Sequence, residues 1–242
     1  MIGILDYGVG NVGAFLKIFH SQNINAIPVK VPRDFSKIDK VILPGVGSFD
    51  TAMSKLNNSG LRSELDKFVV ENEKPLLGVC IGMHMLGLSS EEGSEEGLGY
   101  IEGHTVHIGA KTPKVMLPHM GWNNISIKSA SPIWTDINLQ EGFYFLHSFA
   151  FEALDQNSIF AVTTYHDEIV CAVKNKRDCL GFWRNIGAAL PSGELTHYNA
   201  IGVFHTSSAT SFAEASASAA AVEANQNGNI LVDNAGDIYF HL

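Results

Sequence analysis

Short apolar runs alternate with helical patterns through the first half of the chain. Four runs have the length and apolar content of buried strands: residues 2–5, 26–31, 41–43 and 76–79. Three segments between and after them repeat apolar residues at helical spacing: residues 11–21, 60–72 and 81–88. Strands that alternate with helices over short connections predict a parallel sheet with helices on both faces.

The pattern changes after Gly93, where strand-like pieces follow one another with turn residues between them. These pieces are residues 105–108, 124–127, 143–146, 159–164 and 169–173. We interpret them as a more antiparallel edge of the same sheet. The predicted fold is therefore α/β with three layers, in which a mainly parallel sheet carries antiparallel edge strands.

The end of the chain differs in composition. Residues 209–224 are rich in Ala and Ser and form a weak helix candidate, because serine is a poor helix former. Residues 228–242 read as a hairpin around Asn234-Ala235-Gly236. The composition shifts between Trp183 and Pro191, and we expect one domain over residues 1–184 and a tail of unknown purpose over 185–242.

Charge and cysteine usage exclude several classes of function. The 242 residues carry a net charge of −9 with the acidic residues spread along the chain, which argues against nucleic acid as a partner. No apolar stretch approaches the roughly 18 residues of a membrane helix, and no signal peptide is visible. Three cysteines without C-x-x-C spacing suggest neither disulfides nor zinc. We expect a cytoplasmic protein that uses no metal.

Cys80 stands between two glycines in Gly78-Val79-Cys80-Ile81-Gly82, after a predicted strand and before a predicted helix. Flanking glycines permit the sharp strand-to-helix turn that exposes a nucleophile in G-x-S-x-G enzymes. Free N–H groups at the start of a helix favour the thiolate. The alternative is a small buried residue under a tight turn, since free cysteines are commonly buried.

A glycine-rich loop follows the preceding strand. Its residues Gly45, Val46 and Gly47 come at the carboxyl end of that strand, where ligands of parallel α/β sheets bind. Backbone N–H groups in such a loop can stabilise a developing oxyanion. The loop alone is an ordinary turn, but beside a cysteine elbow it becomes a candidate part of an active site.

Four motifs in order carry a family resemblance: P-G-V-G-S-F, G-V-C-I-G-M, P-H-M-G-W-N (residues 118–123) and F-Y-F-L-H-S-F (residues 143–149). The chain resembles class I glutamine amidotransferases, and within them the glutaminase subunits of imidazole glycerol phosphate synthases. Similar subunits also occur in surface-polysaccharide gene clusters, where they supply ammonia to a sugar amidotransferase, so a role in such a sugar pathway is an alternative. The resemblance implies a flavodoxin-like fold, glutamine as substrate, no cofactor, and a (β/α)₈-barrel cyclase as heterodimer partner.

The resemblance also implies roles for individual residues. The Cys80 thiolate would attack the side-chain amide of glutamine, and N–H groups near Gly45-Val46-Gly47 and of Ile81 would hold the oxyanion. The backbone of Ser148 and Phe149 would bind the α-amino and carboxylate groups. His84 stands where the family usually has a substrate-binding glutamine, and its ring can still donate a hydrogen bond.

The resemblance stops after Phe182, where the family has G-F-Q-F-H-P-E with its general base and orienting glutamate. Asn185 and Gly187 stand at those positions. A partial match to this motif at Gly202-Val203-Phe204-His205 has a histidine but neither the proline nor the glutamate. His147 and His166 do not match the position of the general base. Either foreign sequence has replaced the base, which we favour, or the tail supplies another.

Two rival interpretations stay open. Gly8-Val9-Gly10-Asn11-Val12-Gly13 is a complete G-x-G-x-x-G after a strand, as in dinucleotide-binding proteins, and the basic residues after the second strand leave NADP as the only candidate. Alternatively, a chain without its base persists as a binding subunit that docks on a cyclase. A cysteine hydrolase without amidotransfer is a weaker third.

Overall fold

The computed structural model describes residues 1–175, apart from 113, 132–133, 135–138 and 140–141. Beyond residue 175 it describes the backbone of five short strands. Among these described residues, no helix is long and apolar enough to cross a membrane.

The helices lie mainly in the first half of the chain. The α-helices are α1 (Val12–Ser21), α2 (Phe49–Asn58), α3 (Arg62–Asp66), α4 (Ile81–His84) and α5 (Ile108–Lys111). Short 3₁₀ segments cover Pro32–Lys37 and Gln156–Ser158, and a π-helical turn, Lys67–Glu71, continues α3.

Thirteen strands are described up to residue 182. They are β1 (Ile2–Leu5), β2 (Ala26–Val29), β3 (Lys40–Gly45), β4 (Leu76–Cys80), β5 (Ser89–Ser90), β6 (Gly103–His107), β7 (His119–Asn123), β8 (Ile125–Ile127), β9 (Phe143–His147), β10 (Phe149–Ala153), β11 (Ile159–Tyr165), β12 (Asp167–Lys174) and β13 (Cys179–Phe182). The tail adds β14 (His197–Tyr198), β15 (Phe204–His205), β16 (Ile230–Val232) and β17 (Ile238–Phe240).

The central sheet has the order β2-β1-β3-β4-β13-β12-β11-β8. Strands β2, β1, β3, β4 and β13 pair in parallel, whereas β12, β11 and β8 are antiparallel. Strand β3 is buried from Val41 to Gly45, as expected for a parallel strand covered on both faces. The predicted fold class, a mainly parallel sheet with antiparallel edge strands, is confirmed.

Several predicted boundaries were wrong in the parallel half. Strand β3 includes Pro44 and Gly45, which we had assigned to the following loop. Helix α2 was missed, although Ser48 caps it by accepting a hydrogen bond from the Thr51 N–H. The helix after Cys80 is a single turn, since Met85 already lies at its carboxyl end.

The antiparallel half is also more divided than predicted. Among the strands described between residues 89 and 182, β8, β11, β12 and β13 extend the central sheet, whereas β10-β6-β5 and β7-β9 form two separate small sheets. Strands β7 and β10 were missed because residues 119–123 and 149–153 lack a clean alternation of apolar and polar side chains.

In the tail, β16 pairs with β17 antiparallel with Val232 opposite Ile238, which matches the predicted hairpin. The predicted helix over residues 209–224 lies outside the described residues. The division into residues 1–184 and 185–242 stays a prediction.

Candidate active site

Cys80 occupies a strained elbow at the carboxyl end of β4. Its φ of 59° and ψ of −122° are unusual for a residue with a side chain, and helix α4 begins at the next residue. Such a conformation costs about 1–3 kcal/mol and persists only where the surroundings impose it. The elbow predicted from the two glycines is therefore present.

Close backbone contacts explain those glycines. A Cβ on Gly82 would lie 2.0 Å from the Leu43 carbonyl oxygen, and one on Gly78 would lie 2.5 Å from the Gly82 oxygen. On the neighbouring strand, a Cβ on Gly45 would lie 2.5 Å from the Gly82 nitrogen. These three positions leave no room for a side chain, because real Cβ atoms do not approach other atoms so closely.

The predicted oxyanion segment lies beside the elbow. Gly45 is opposite Cys80 in the β3–β4 register, and Val46 and Gly47 follow it with partial exposure. Gly47 has a φ of 83°, which favours glycine. The structure thus brings Gly45 and Ile81 to the elbow, and the loop that continues from Gly45 begins beside it.

A tyrosine hydroxyl orients this segment from the other side. Tyr7 donates a buried 2.6 Å hydrogen bond to the carbonyl oxygen of Pro44. Val41 donates to the carbonyl of Pro75, the residue directly before β4, so alternation along β3 points the backbone groups of Gly45 at β4 and those of Pro44 at β1. Tyr7 was not predicted; its position directly after the first strand was the only signal.

The electrostatics of the thiol contradict one expectation. Cys80 is only 1% exposed, and burial raises its pKa to about 12, with a smaller contribution from the charge of Glu92. The Ile81 N–H, which hydrogen-bonds the sulfur, lowers the pKa but does not compensate. The prediction that the helix start favours a thiolate is wrong, because desolvation outweighs one N–H group.

Glu92 is a site residue that the sequence analysis missed. Its carboxylate accepts a 3.0 Å hydrogen bond from the Phe49 N–H and lies close enough to Cys80 to raise the thiol pKa. Burial and the neighbouring Asp50 raise the pKa of Glu92 itself. A half-buried carboxylate next to the nucleophile is suited to binding a cationic group.

His84 is 1% exposed and lies on α4, in the helical turn after Cys80. Burial and the nearby His147 lower its pKa to about 3, so the ring is neutral at physiological pH. His147, at the end of β9, is close enough to influence the His84 ring electrostatically, and the predicted contact of His84 with the substrate stays a prediction.

Ser148 and Phe149 form the corner between β9 and β10. The Ser148 carbonyl accepts from the Ile108 N–H at 3.0 Å, and His147 Nδ1 lies 2.8 Å from the Phe149 carbonyl oxygen. Since Ser148 faces β6, alternation turns the backbone of Phe149 toward the outer edge of β10.

The glycine-rich first turn has a packing role. Gly8 and Gly10 have φ of 88° and 90°, and a Cβ on Gly10 would lie 2.7 Å from the Pro44 ring. Lys30, one of the basic residues for which NADP stayed a candidate, pairs with Asp6, with 3.4 Å between Nζ and Oδ2. Gly8 and Gly10 are thus explained by backbone conformation and packing, without a nucleotide. Within the described ranges, no three His, Cys, Asp or Glu side chains are arranged to hold a metal ion.

Comparison with known proteins gives the family. The model of the family "Glutamine amidotransferase class-I" matches residues 4–182. The chain belongs to the class I glutamine amidotransferases. It is thus a glutamine amidotransferase with a cysteine nucleophile, as predicted.

Two relatives are imidazole glycerol phosphate synthase subunits. The imidazole glycerol phosphate synthase subunit HisH of Leptospira borgpetersenii is 36% identical over 205 residues, which cover 84% of this chain and 97% of that protein. The HisH 2 subunit of Methanococcus maripaludis is 42% identical over 173 residues, 72% of this chain and 85% of the relative. The match to the family model ends at Phe182, as expected, whereas the Leptospira alignment is too long to end there and includes part of the tail.

Solved structures agree on the fold. A crystal structure of a glutamine amidotransferase has a TM-score of 0.56 at 18% identity, covering 75% of this chain and 87% of its own. A glutamine amidotransferase of Thermotoga maritima has a TM-score of 0.53 at 15% identity, covering 76% and 75%.

His205, the remaining histidine echo, lies in β15 opposite His197 of β14. The structure describes the backbone there and not the side chain. Asn185 and Gly187 lie outside the described residues.

Proposed function

We propose that this chain is the glutaminase subunit of an imidazole glycerol phosphate synthase, which hydrolyses glutamine to glutamate and supplies ammonia to a synthase partner. The observation that carries the proposal is the Cys80 elbow, with φ of 59° beside the Pro44-Gly45 end of β3. The HisH names of the relatives support the histidine pathway over a surface sugar.

In the proposed reaction, the sulfur of Cys80 attacks the side-chain carbonyl carbon of glutamine. The tetrahedral oxyanion is held by N–H groups of Ile81 and of the Gly45-Val46-Gly47 segment, and its collapse to a thioester releases ammonia. Water then cleaves the thioester to glutamate and restores the thiol.

Two groups would bind the amino-acid end of glutamine. Among the residues that the structure describes, Glu92 is the carboxylate whose charge raises the pKa of Cys80. It would therefore pair with the α-ammonium group of glutamine. Binding that cation would also offset the negative charge that raises the thiol pKa. The N–H of Phe149, at the outer edge of β10, would bind the α-carboxylate. The neutral ring of His84 would contact the substrate without adding a charge to the site.

We expect hydrolysis to be slow. The sequence after Phe182 contains no His-x-Glu pair, and the loss of a general base typically costs about 10²–10⁴ in rate. The partner would be a (β/α)₈-barrel cyclase that receives the ammonia. We place the pair in the cytoplasm, since reducing compartments keep a catalytic thiol free.

The test is a glutaminase assay on the full chain with the cyclase subunit of the same organism. We expect slow glutamate release that Cys80→Ala abolishes, with ammonium chloride still supporting the cyclase. Equal turnover by Cys80→Ala and the parent chain would refute the proposal. Cyclase stimulation by both proteins without glutamate release would instead favour a binding subunit.

The role of Glu92 has a separate test with two alkylating agents. Iodoacetamide reports only the thiol, whereas acivicin also needs the amino-acid site. We expect Glu92→Gln to speed iodoacetamide labelling of Cys80 and to slow acivicin labelling by about tenfold, the value of one charged hydrogen bond. The exposed Glu96→Gln is the control. Slower labelling by both agents would argue that Glu92 only supports the fold.

A further inference from the structure

The corner His147-Ser148-Phe149 joins two different sheets. Strand β9, which ends at His147, pairs with β7, and strand β10, which begins at Phe149, pairs with β6. The His147 ring bridges this corner, because its Nδ1 lies 2.8 Å from the Phe149 carbonyl oxygen. The His147 imidazole is thus one of the groups that hold this backbone segment of the proposed glutamine site.

A second histidine holds that imidazole. His119, opposite His147 in the β7–β9 register, places its Nδ1 2.9 Å from His147 Nε2. The His119 ring is stacked between Phe145, with centroids 4.8 Å apart, and Tyr165, with centroids 4.0 Å apart. His119 therefore cannot turn away without losing two ring contacts.

The positions of the protons follow from the partners. Burial lowers the pKa of His119 to about 4 and that of His147 to about 3, so both rings are neutral near pH 7. A carbonyl only accepts, hence His147 carries its proton on Nδ1 and leaves Nε2 as the acceptor. His119 must then donate from its own Nδ1.

The same reasoning extends to the far end. The Asn123 amide nitrogen donates to the Thr164 carbonyl at 2.7 Å, and its oxygen accepts from the Asn124 N–H at 2.9 Å. The amide nitrogen is also 3.5 Å from His119 Nε2, which must be an acceptor. Every bond in the series from Asn123 through His119 and His147 to Phe149 therefore has one direction.

We propose that His147, oriented by His119, is a positioning residue for glutamine that holds the Phe149 backbone with its N–H available to the substrate carboxylate. This inference rests on the proposed function. With the Ser148 carbonyl bonded to Ile108 and the Phe149 carbonyl bonded to His147, the segment presents donors. Donors suit a carboxylate, and the ammonium is left to Glu92.

Two substitutions separate positioning from simple packing. In His147→Asn, the amide nitrogen takes the place of Nδ1 and can still donate to Phe149, while the contact with His119 is lost. In His147→Gln, an amide atom takes the place of Nε2 and keeps the contact with His119, while the donor to Phe149 is lost. Both replacements are polar and similar in size.

Acivicin and iodoacetamide labelling of Cys80, measured by mass spectrometry, give the result. We expect His147→Gln to lower the acivicin-to-iodoacetamide rate ratio by about three- to tenfold, the worth of one hydrogen bond, and His147→Asn to restore most of it. If the two variants had the same acivicin-to-iodoacetamide rate ratio, whatever its value, the inference about His147 would be overturned and the proposed function would be unaffected. A parent chain that iodoacetamide labels but acivicin does not would overturn the proposed function and this inference together.

A measurement on the unsubstituted chain covers the case in which both variants fail to fold. The bond directions require His119 and His147 to be neutral Nδ1–H tautomers. Nitrogen NMR of the histidine rings in the folded chain should show both in that form. An Nε2–H tautomer at His147 would exclude the bond to Phe149 and refute the inference.

Discussion

The elbow and the histidine corner both bury groups that can carry charge, but in different surroundings. At the elbow, Cys80 sits among close-packed backbone and apolar side chains, and one N–H group reaches its sulfur. At the corner, His119 and His147 are buried almost as deeply, yet each ring has hydrogen-bond partners, and the His119 ring is also stacked on Phe145 and Tyr165.

The difference separates reactivity from orientation. Apolar burial suppresses the thiolate, so the buried sulfur is not activated by the helix start alone. Hydrogen-bonded burial keeps the rings neutral as well, but it fixes where their protons point. The first region therefore supplies the nucleophile, and the second holds the backbone that would receive the substrate.

The largest effect expected concerns the thiol. With the pKa of Cys80 raised to about 12, its thiolate fraction at pH 7 is about a thousandfold below that of an unperturbed cysteine. Iodoacetamide should label Cys80 very slowly in the folded chain, and faster as pH rises to 10. Labelling in urea is the control. Rapid labelling at pH 7 without glutamine would show that the elbow activates the thiol by itself.

The next effect concerns the backbone of the elbow. Gly82→Ala places a Cβ 2.0 Å from the Leu43 carbonyl oxygen, and we expect a loss of about 3 kcal/mol or more in the free energy of unfolding. Gly13→Ala is the matched control, because its Cβ would meet only Asn11 Oδ1 at 3.7 Å, inside α1. That variant should gain about 0.5–1 kcal/mol in urea unfolding. Similar losses in both would contradict the close contact.

Acid should destabilise the corner. His84, His119 and His147 have pKa values lowered to about 3, 4 and 3, so the unfolded chain binds more protons than the folded chain below about pH 6.5. Their contribution to stability is complete above pH 6.5 and is lost as pH falls toward 4. We expect the melting temperature to fall over this window, with a shallower slope in His84→Gln. An unchanged slope in that variant would mean that His84 is not buried neutral.

The smallest effect concerns Tyr7. Tyr7→Phe removes a buried donor to the Pro44 carbonyl, and we expect a loss of about 1–2 kcal/mol in the free energy of unfolding. Tyr165→Phe removes a bond of the same type and length, 2.6 Å to the Met116 carbonyl, at an exposed site. Its cost should be smaller, since water replaces the hydroxyl. A larger loss of stability in Tyr165→Phe than in Tyr7→Phe would contradict the conclusion that the buried hydrogen bond of Tyr7 contributes more.

The elbow was predictable because its requirement is local. Backbone contacts within and directly beside the turn require glycine at positions 78 and 82, so the requirement shows as a short sequence pattern around Cys80. Gly45 follows the same rule one strand away. The strained φ of Cys80 could not be predicted from the sequence, because a cysteine does not by itself indicate a positive φ angle.

Glu92 and the His119–His147 pair were not assigned to the site from sequence. Glu92 is one of several acidic residues in a polar stretch, and only folding brings its carboxylate to Phe49 and Cys80. His119 and His147 are 28 residues apart and meet through strand register, which single-sequence patterns do not specify. The prediction of a thiolate at Cys80 was wrong for the same reason, since desolvation depends on all the atoms that surround the sulfur.

The amino-acid sequence by itself determined the alternation of strands and helices, the turn at Cys80 and the family motifs, because each depends on neighbours along the chain. Only the tertiary structure decided how far the thiol is desolvated, which carboxylate lies beside it and which way the protons of the corner point. Those properties arise from groups distant in sequence whose contacts exist only after the strands have paired.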